Sequence, residues 1–172
     1  RLGLGARQRL HGDKAYYVYN QHLNYTNVCK NACRFCAFSK VEGEDGAYTM
    51  TPEEAAAKVA ERSSDPIREI HIVGGLNPAL PYAYYPDLIK SVQNARPNAK
   101  VKAFTAVEVA HLADESGKTE ADVLKDLMAS GLAMLPGGGA EVFSPKLRQK
   151  LCPEKVSGER WLAIHEIAHG LG

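Results

Sequence analysis

The chain has 172 residues, of which 45% are hydrophobic and 24% are charged, the balance of a single globular domain covering residues 1–172. The formal net charge of +1 excludes the basic surface of a nucleic-acid-binding protein. No apolar run approaches the roughly 18 residues that span a bilayer, and no signal-peptide pattern opens the sequence. We therefore expect a cytoplasmic protein that has neither a membrane nor a nucleic acid as its partner.

Segments typical of strands and of helices alternate along the chain. The predicted strands cover 15–28, 68–75, 101–108 and 132–136. The predicted helices cover 51–64, 84–95, 119–130, 144–151 and 159–170, the first of them beginning with a capping box from Thr51 to Glu54. This is a β-α unit repeated four times, and it predicts an α/β fold with a parallel sheet and right-handed crossovers.

Polar or glycine-rich segments follow each predicted strand. Cysteines follow the first, Gly74 and Gly75 end the second, Glu108 ends the third, and three glycines at 137–139 follow the fourth. Because sites in parallel α/β folds lie at the carboxyl ends of the strands, we expect these four segments to meet at one face of the sheet.

Three of the four cysteines lie within the stretch 27-NVCKNACRFCAFSK-40, as Cys29, Cys33 and Cys36 in the spacing C-x3-C-x2-C. Such a cluster is typical of a metal site in a reducing compartment and not of a disulfide framework. Three thiolates hold a [4Fe–4S] cluster through three of its irons, and a catalytic metal site keeps a position open for a small molecule. A zinc knuckle, or a closed electron carrier with Cys152 as fourth ligand, remains as an alternative.

The cysteine spacing, the strand before it and the aromatic Phe35 before the last cysteine resemble the radical S-adenosylmethionine (SAM) superfamily. The resemblance implies a partial parallel (β/α)6 barrel, of which this chain shows about four units. It also implies that SAM binds the fourth iron and is cleaved to a 5′-deoxyadenosyl radical. By the same resemblance, Gly74 and Gly75 meet the methionyl amine of SAM, and Glu108 contacts its ribose or amino group.

Within that superfamily, the stretches 71-HIVGGLNPALPYAYY-85, 103-AFTAVE-108 and 131–172 with its PGGGAE block are similar to the aminofutalosine synthase family of menaquinone biosynthesis. This resemblance implies that the adenosyl radical adds to 3-[(1-carboxyvinyl)oxy]benzoate to give 6-amino-6-deoxyfutalosine. It implies a flavodoxin or ferredoxin as electron donor. The dehypoxanthine futalosine cyclase family shares the cysteine loop and the PGGGAE block and stays an alternative. The deazaflavin (FO) synthases are more distant.

Both substrates of such an enzyme carry carboxylates, so the site needs cationic side chains or N–H donors. Gly137 and Gly138, with the neighbouring Gly139, offer backbone N–H groups to an anion or cofactor. The cationic candidates are Arg148 and Lys155, and Glu141 is the candidate catalytic residue, which would orient substrate or relay a proton.

Other residues admit a second interpretation. The segment 165-HEIAHGLG-172 has the H-E-x-x-H pattern of a zinc protease, although the third histidine of that pattern would fall at position 175, beyond the sequence. On the first predicted strand, His22 and Asn24 share a face, and each either touches substrate or lies in the core. His71 is expected in the core.

A complete eight-unit barrel takes about 250 residues, and the SAM-dependent barrels that this sequence resembles have six units. We therefore expect the chain to be the N-terminal portion of a longer enzyme. By itself it should bind a cluster and turn over poorly.

Overall fold

The computed structural model describes residues 2–172 and contains a four-stranded parallel sheet. Its strands are β1 (Asn20–Asn24), β2 (Glu69–Val73), β3 (Lys100–Ala103) and β4 (Leu132–Met134), in the order β1-β2-β3-β4. The parallel α/β fold predicted from the sequence is confirmed, as is the number of strands. A sheet of this order with helical crossovers is an arc of a barrel.

Helices flank and connect the strands. They are α1 (Leu2–His11), α2 (Pro52–Ala60), α3 (Tyr84–Ala95), α4 (Ala106–Ser116), α5 (Glu120–Ala129), α6 (Pro145–Leu151) and α7 (Gly158–Leu171). The predicted capping box of α2 is present, since the Thr51 side chain accepts from the Glu54 N–H and the Glu54 side chain accepts from the Thr51 N–H. The five predicted helices are α2, α3, α5, α6 and α7. None of the described helices is long and apolar enough to cross a membrane.

The third strand is shorter than predicted, and Glu108 does not end it. β3 stops at Ala103, and Phe104 takes a φ of 57°, which breaks the extended backbone. Thr105 then caps α4, with Glu108 as the acidic partner of a second capping box. The prediction of a strand over 101–108 was wrong here because a helix start outweighs the apolar texture of AFTAVE.

The first strand is also shorter than predicted. It covers five residues because pairing begins where Asn20 meets Glu69, the first residue of β2. Tyr16 and Tyr17 lie before this point and are exposed. The preceding helix α1 was not predicted, since two glycines and no acidic first turn argue against a helix there.

The two faces of the sheet differ in chemistry. Leu23, Ile70 and Val101 point to the face that packs with the buried side chains of α3 and α5 in one apolar cluster. Their neighbours along the strands point the other way and are polar: Asn20, His22, Glu69, His71 and Lys102. The core therefore lies on the helical side, and a polar face lies opposite it.

Candidate functional site

A cleft of about 230 Å³ lies at the carboxyl end of the sheet. Its lining comes from the cysteine loop, the end of β2, the start of α4 and the loop after β4. The lining residues that the sequence singled out are Cys29, Cys33, Cys36, Gly74, Gly75, Glu108, Glu141 and Lys155. The expected meeting of four segments at one face is thus what the structure shows.

Backbone contacts tie Cys29 to the end of β2. The N–H of Leu76 donates to Cys29 Sγ at 3.3 Å, and the N–H of Lys30 donates to the Leu76 carbonyl at 2.9 Å. A Cβ added to Gly75 would lie 2.1 Å from the Val28 carbonyl oxygen and 2.9 Å from Cys29 Cβ. Only glycine fits there, so the absence of a side chain lets the cysteine loop pack against the sheet.

The other two thiols differ in electrostatics. Burial raises the pKa of Cys33, although Lys155 opposes this effect. Burial would also raise the pKa of Cys36, but hydrogen bonds from the backbone of Phe38 and Ser39, with Lys155 nearby, hold that pKa below its usual value. Since the thiolate is the metal-binding form, Lys155 favours metal binding at both positions.

Lys155 itself is held in place by two contacts. Its Nζ pairs with Glu141 Oε1 at 2.8 Å and lies 5.2 Å from the centre of the Phe35 ring. Its side chain is 14% exposed, against 29% for that of Glu141. Glu141 also takes a φ of 40°, a backbone conformation uncommon outside glycine. The pair joins the loop after β4 to the cysteine loop at the mouth of the cleft.

Glu108 lies at the base of the cleft and is 2% exposed. Both oxygens of its carboxylate accept hydrogen bonds. Oε1 accepts from the Gly74 N–H at 3.1 Å and from the Tyr25 hydroxyl at 3.0 Å, while Oε2 accepts from the Thr105 N–H at 2.7 Å. The carboxylate therefore holds the end of β2 and the start of α4 together. Burial raises its pKa to about 7 despite these hydrogen bonds.

The raised pKa of Glu108 predicts a pH dependence of stability. Its pKa is about 7 folded, against 4.5 as the ordinary value, so between these values the folded state binds more protons. Stability must then fall as pH rises through this window. Relative to Glu108→Gln, wild type should lose up to about 3 kcal/mol of unfolding free energy between pH 4.5 and 7. Urea titrations of both proteins at pH 5 and pH 8 measure this, and equal changes in both would contradict it.

The remaining predicted residues are placed differently. Gly137 and Gly138 do not line the cleft, whereas Gly139 does. The Gly138 carbonyl accepts from Trp161 Nε1 at 2.9 Å. Arg148 is buried and donates to the carbonyls of Ala140 at 2.7 Å, Val142 at 3.0 Å and Val156. Its guanidinium thus binds backbone carbonyls of the protein itself, and it holds the loop that carries Glu141 in place.

Two residues of the site were missed by sequence reasoning. Tyr25 is fully buried at the end of β1, and its hydroxyl reaches Glu108 and the Gly75 carbonyl. Asn31 lines the cleft, and its buried Nδ2 has no hydrogen-bond partner among the described residues. The one signal in the sequence that could have identified Asn31 is its position inside the cysteine loop, between Cys29 and Cys33. The partners of Tyr25 lie 50 and 83 residues away and leave no local signal.

The residues present fit a [4Fe–4S] cluster. Among residues 2–172, no group of three or more His, Cys, Asp or Glu lies close enough together to hold a single metal ion. A cluster makes a different demand, since each of the three thiolates binds a different iron. The site matches that demand, since three thiols line one cleft and a backbone N–H already donates to Cys29 Sγ. The Nδ2 of Asn31, which has no partner among the described residues, is left as a donor for a further ligand.

The zinc-protease alternative finds no such support. The rings of His165 and His169 are 6.4 Å apart on α7, and the described part of the chain offers no third ligand beside them. The His165 ring instead lies 4.0 Å from that of Trp161. Both histidines line a separate cavity of about 270 Å³ at the β4 edge, which contains none of the cysteines.

A parallel sheet whose first loop brings three thiols to the carboxyl end of the strands is the arrangement expected of an iron–sulfur enzyme. The family model described as the Radical SAM superfamily matches residues 23–172, and the chain belongs to this superfamily. Enzymes of this superfamily use a [4Fe–4S] cluster and SAM.

Comparison with individual proteins agrees with this assignment. The chain is 42% identical to the aminodeoxyfutalosine synthase of Thermus thermophilus over 172 residues, which is 100% of this chain and 46% of that protein. It is 38% identical over 167 residues to the 5-amino-6-(D-ribitylamino)uracil–L-tyrosine 4-hydroxyphenyl transferase of Methanopyrus kandleri, covering 97% of this chain and 45% of that one. The chain thus spans less than half the length of either relative.

A solved structure shows the same fold. The crystal structure of HydG, a maturase of the [FeFe]-hydrogenase, superimposes with a TM-score of 0.71 over 96% of this chain and 35% of HydG, at 19% sequence identity. The partial barrel expected from the sequence is consistent with this likeness.

Proposed function

We propose that this chain carries the cluster-binding part of an aminofutalosine synthase, in which an adenosyl group is added to 3-[(1-carboxyvinyl)oxy]benzoate. The observation that carries the proposal is the 42% identity to an aminodeoxyfutalosine synthase over the whole chain. The stretches HIVGG and AFTAVE, which are similar to the synthase family, both contribute to the lining of the cleft beside the cysteines: Val73, Gly74 and Gly75 from the first, and Thr105, Val107 and Glu108 from the second.

When bound and reduced, the cluster supplies the electron that cleaves SAM to the adenosyl radical. The protein's own task is to hold the two substrates together and to exclude water and stray hydrogen donors. The walls of the cleft suit this task, since Phe35, Phe38 and Val107 surround the polar groups with apolar surface. Gly74 and Gly75 present backbone instead of side chain at the cleft, which permits a close approach of SAM.

We assign binding roles to the polar residues at the mouth of the cleft. Lys155, at the edge of the cysteine loop, provides positive charge for a substrate carboxylate. Glu141, paired with it, orients the substrate or relays a proton. Glu108 acts by holding Gly74 in place. Gly137 and Gly138 keep their proposed role only if the loop after β4 turns its N–H groups toward a bound anion.

The electron donor in this proposal is a flavodoxin or ferredoxin, and the protein works in the reducing cytoplasm. A second function has support from the 38% identity to a hydroxyphenyl transferase, whose name states that it acts on L-tyrosine and 5-amino-6-(D-ribitylamino)uracil. The dehypoxanthine futalosine cyclase also remains an alternative function, because that family shares the cysteine loop and the PGGGAE block. It differs from the synthase in its substrate.

The choice of substrate decides between these functions. Anaerobic incubation of the reconstituted protein with SAM, dithionite and 3-[(1-carboxyvinyl)oxy]benzoate should give 6-amino-6-deoxyfutalosine at the low turnover expected of this chain, detected by mass spectrometry. A parallel incubation offers L-tyrosine with 5-amino-6-(D-ribitylamino)uracil. Product from the second mixture alone would overturn the synthase proposal. Cleavage of SAM without either product would show a working cluster with an unsuitable or incomplete substrate site.

Substitution of Glu141 tests its catalytic role. Glu141→Gln keeps the shape of the side chain and removes the charge that pairs with Lys155 at 2.8 Å. We expect product formation to fall about 10- to 100-fold, the usual worth of a positioned acid or base, while iron content is unchanged. Glu154→Gln, in the loop after α6 next to Lys155 but outside the lining of the cleft, is the matched control. Equal rates for wild type and Glu141→Gln would exclude the role.

A further inference from the structure

A row of three basic side chains crosses the polar face of the sheet. The register pairs His22 of β1 with His71 of β2, and His71 with Lys102 of β3. The rings of His22 and His71 meet edge to face with centres 5.1 Å apart. Strands of parallel sheets are normally apolar on both faces, so three basic residues in neighbouring register positions indicate that this face binds something polar.

The row lies directly beneath the cysteine cleft. Val73 follows His71 by two residues on the same face of β2 and lines the cleft, which places the row about 7 Å below it along the strand. Asn24, paired in register with Val73, joins the two levels, because its Oδ1 lies 2.6 Å from His22 Nε2. A small molecule that reaches from the cleft to the row needs no opening in the sheet.

The row has N–H groups that are available to a ligand. Lys102 Nζ pairs with Glu69 Oε1 at 2.7 Å, and an ammonium carries three N–H groups. Glu69 is 4% exposed, so its carboxylate holds the Lys102 ammonium close to the sheet. No hydrogen bond joins the His71 ring to another residue in the range 2–172, although the ring is half-buried.

The surrounding charges agree with an anion as ligand. Burial lowers the pKa of His71, and the positive charge of Lys102 and the neighbouring His22 ring lower it further, with Glu69 opposing them. An anion between these groups would relieve that repulsion. Besides Asn24, the same face carries Asn20 and Lys100 beside Glu69. Asn20 Nδ2 donates to Glu69 Oε1 at 3.3 Å, and Lys100 pairs with Glu69 in the strand register, which adds a further positive charge.

We propose that His22, His71 and Lys102 form a subsite for the aromatic carboxylate of the substrate, the one remote from the reacting double bond. The assignment to a benzoate rests on the proposed function. In 3-[(1-carboxyvinyl)oxy]benzoate, the benzoate carboxylate and the vinyl carbon lie at opposite ends. The row holds the carboxylate, and the vinyl end then lies in the cleft beside the cysteines.

Two probes that do not react separate this subsite from general binding. The first is 3-(1-carboxyethoxy)benzoate, in which the double bond is saturated. The second is 2-phenoxypropanoate, which lacks only the benzoate carboxylate. Anaerobic calorimetry on the reconstituted, SAM-loaded protein should show the first probe binding at least about tenfold more tightly, the worth of a charged hydrogen bond.

Substitution of Lys102 should remove that preference. Lys102→Met is expected to weaken the first probe about tenfold or more and to leave the second unchanged, whereas a general loss of structure would weaken both. Lys102→Arg should retain the preference. Lys90→Met is the matched control, since Lys90 pairs with Asp87 at 3.6 Å on the exposed side of α3. If Lys102→Met does not fold, His71→Gln tests the same row without leaving Glu69 unpaired.

The subsite and the proposed function fail in different ways. Equal binding of the two probes to wild type, or an unchanged preference in the Lys102→Met and His71→Gln proteins, overturns the subsite even if aminofutalosine is formed. A preference that disappears in those variants supports the subsite. If that result comes with product from the L-tyrosine mixture alone, the subsite stands and the synthase assignment fails.

Discussion

Cys29→Ala should reduce the iron content of the reconstituted chain from about four atoms to less than about one. The loss is expected to be complete because Cys29 is the cysteine best fixed to the sheet, through Leu76 and Gly75. A cluster held by three thiolates has no spare protein ligand to replace it. Iron and sulfide analysis after anaerobic reconstitution measures this, and SAM cleavage should be lost in parallel.

Cys152→Ala is the matched control for that experiment. Cys152 is buried at the end of α6, and the N–H of Arg34 in the cysteine loop donates to the carbonyl of the preceding Leu151 at 2.9 Å. It therefore lies beside the loop, yet it does not line the cleft. We expect full iron content in this variant. Loss of iron in Cys152→Ala as well would favour a closed four-cysteine site and an electron carrier.

Gly75→Ala should have the second largest effect. The new Cβ would meet the Val28 carbonyl oxygen at 2.1 Å, and a backbone atom cannot turn away as a side chain can. Relief requires the cysteine loop to move off the end of β2, which also breaks the hydrogen bond to Cys29 Sγ. We expect a loss of about 3 kcal/mol in unfolding free energy and reduced iron content, measured by urea denaturation and iron analysis.

Gly170→Ala provides the comparison, since a Cβ at Gly170 on α7 meets nothing within 4 Å. Alanine favours a helix over glycine, so this variant should be as stable as wild type or slightly more stable. A Gly75→Ala protein within about 0.5 kcal/mol of wild type would show that the contact between the loop and the sheet is not as tight as the structure indicates.

Much of the fold could be predicted because its signals are local. The capping box of α2 and the apolar strand 68–75 lie within single stretches of sequence, and both were predicted nearly as they occur. The start of α4 had the same kind of signal, from Thr105 to Glu108, but it lay within an apolar segment that also suits a strand. The segment thus carried one signal for a strand and one for a helix, and the capping box decided in favour of the helix.

The site was only partly predictable because its supporting contacts are long-range. The cysteine spacing predicted the three thiols that share the cleft. No local pattern reveals that Tyr25 reaches Glu108, or that the guanidinium of Arg148 is used by backbone carbonyls. His71 was expected in the core, yet the register places it beside His22 and Lys102 on the polar face. Strand pairing decides that placement, and the strand's own sequence does not.

The central claim is that three cysteines hold a [4Fe–4S] cluster whose fourth iron is left for SAM. Electron paramagnetic resonance of the reduced, reconstituted protein, recorded before and after SAM is added, tests it directly. We predict a [4Fe–4S] signal whose shape and position change with SAM, because SAM becomes a ligand of the open iron. A signal that SAM leaves unchanged would contradict the open coordination site, and zinc in place of iron would contradict the cluster itself.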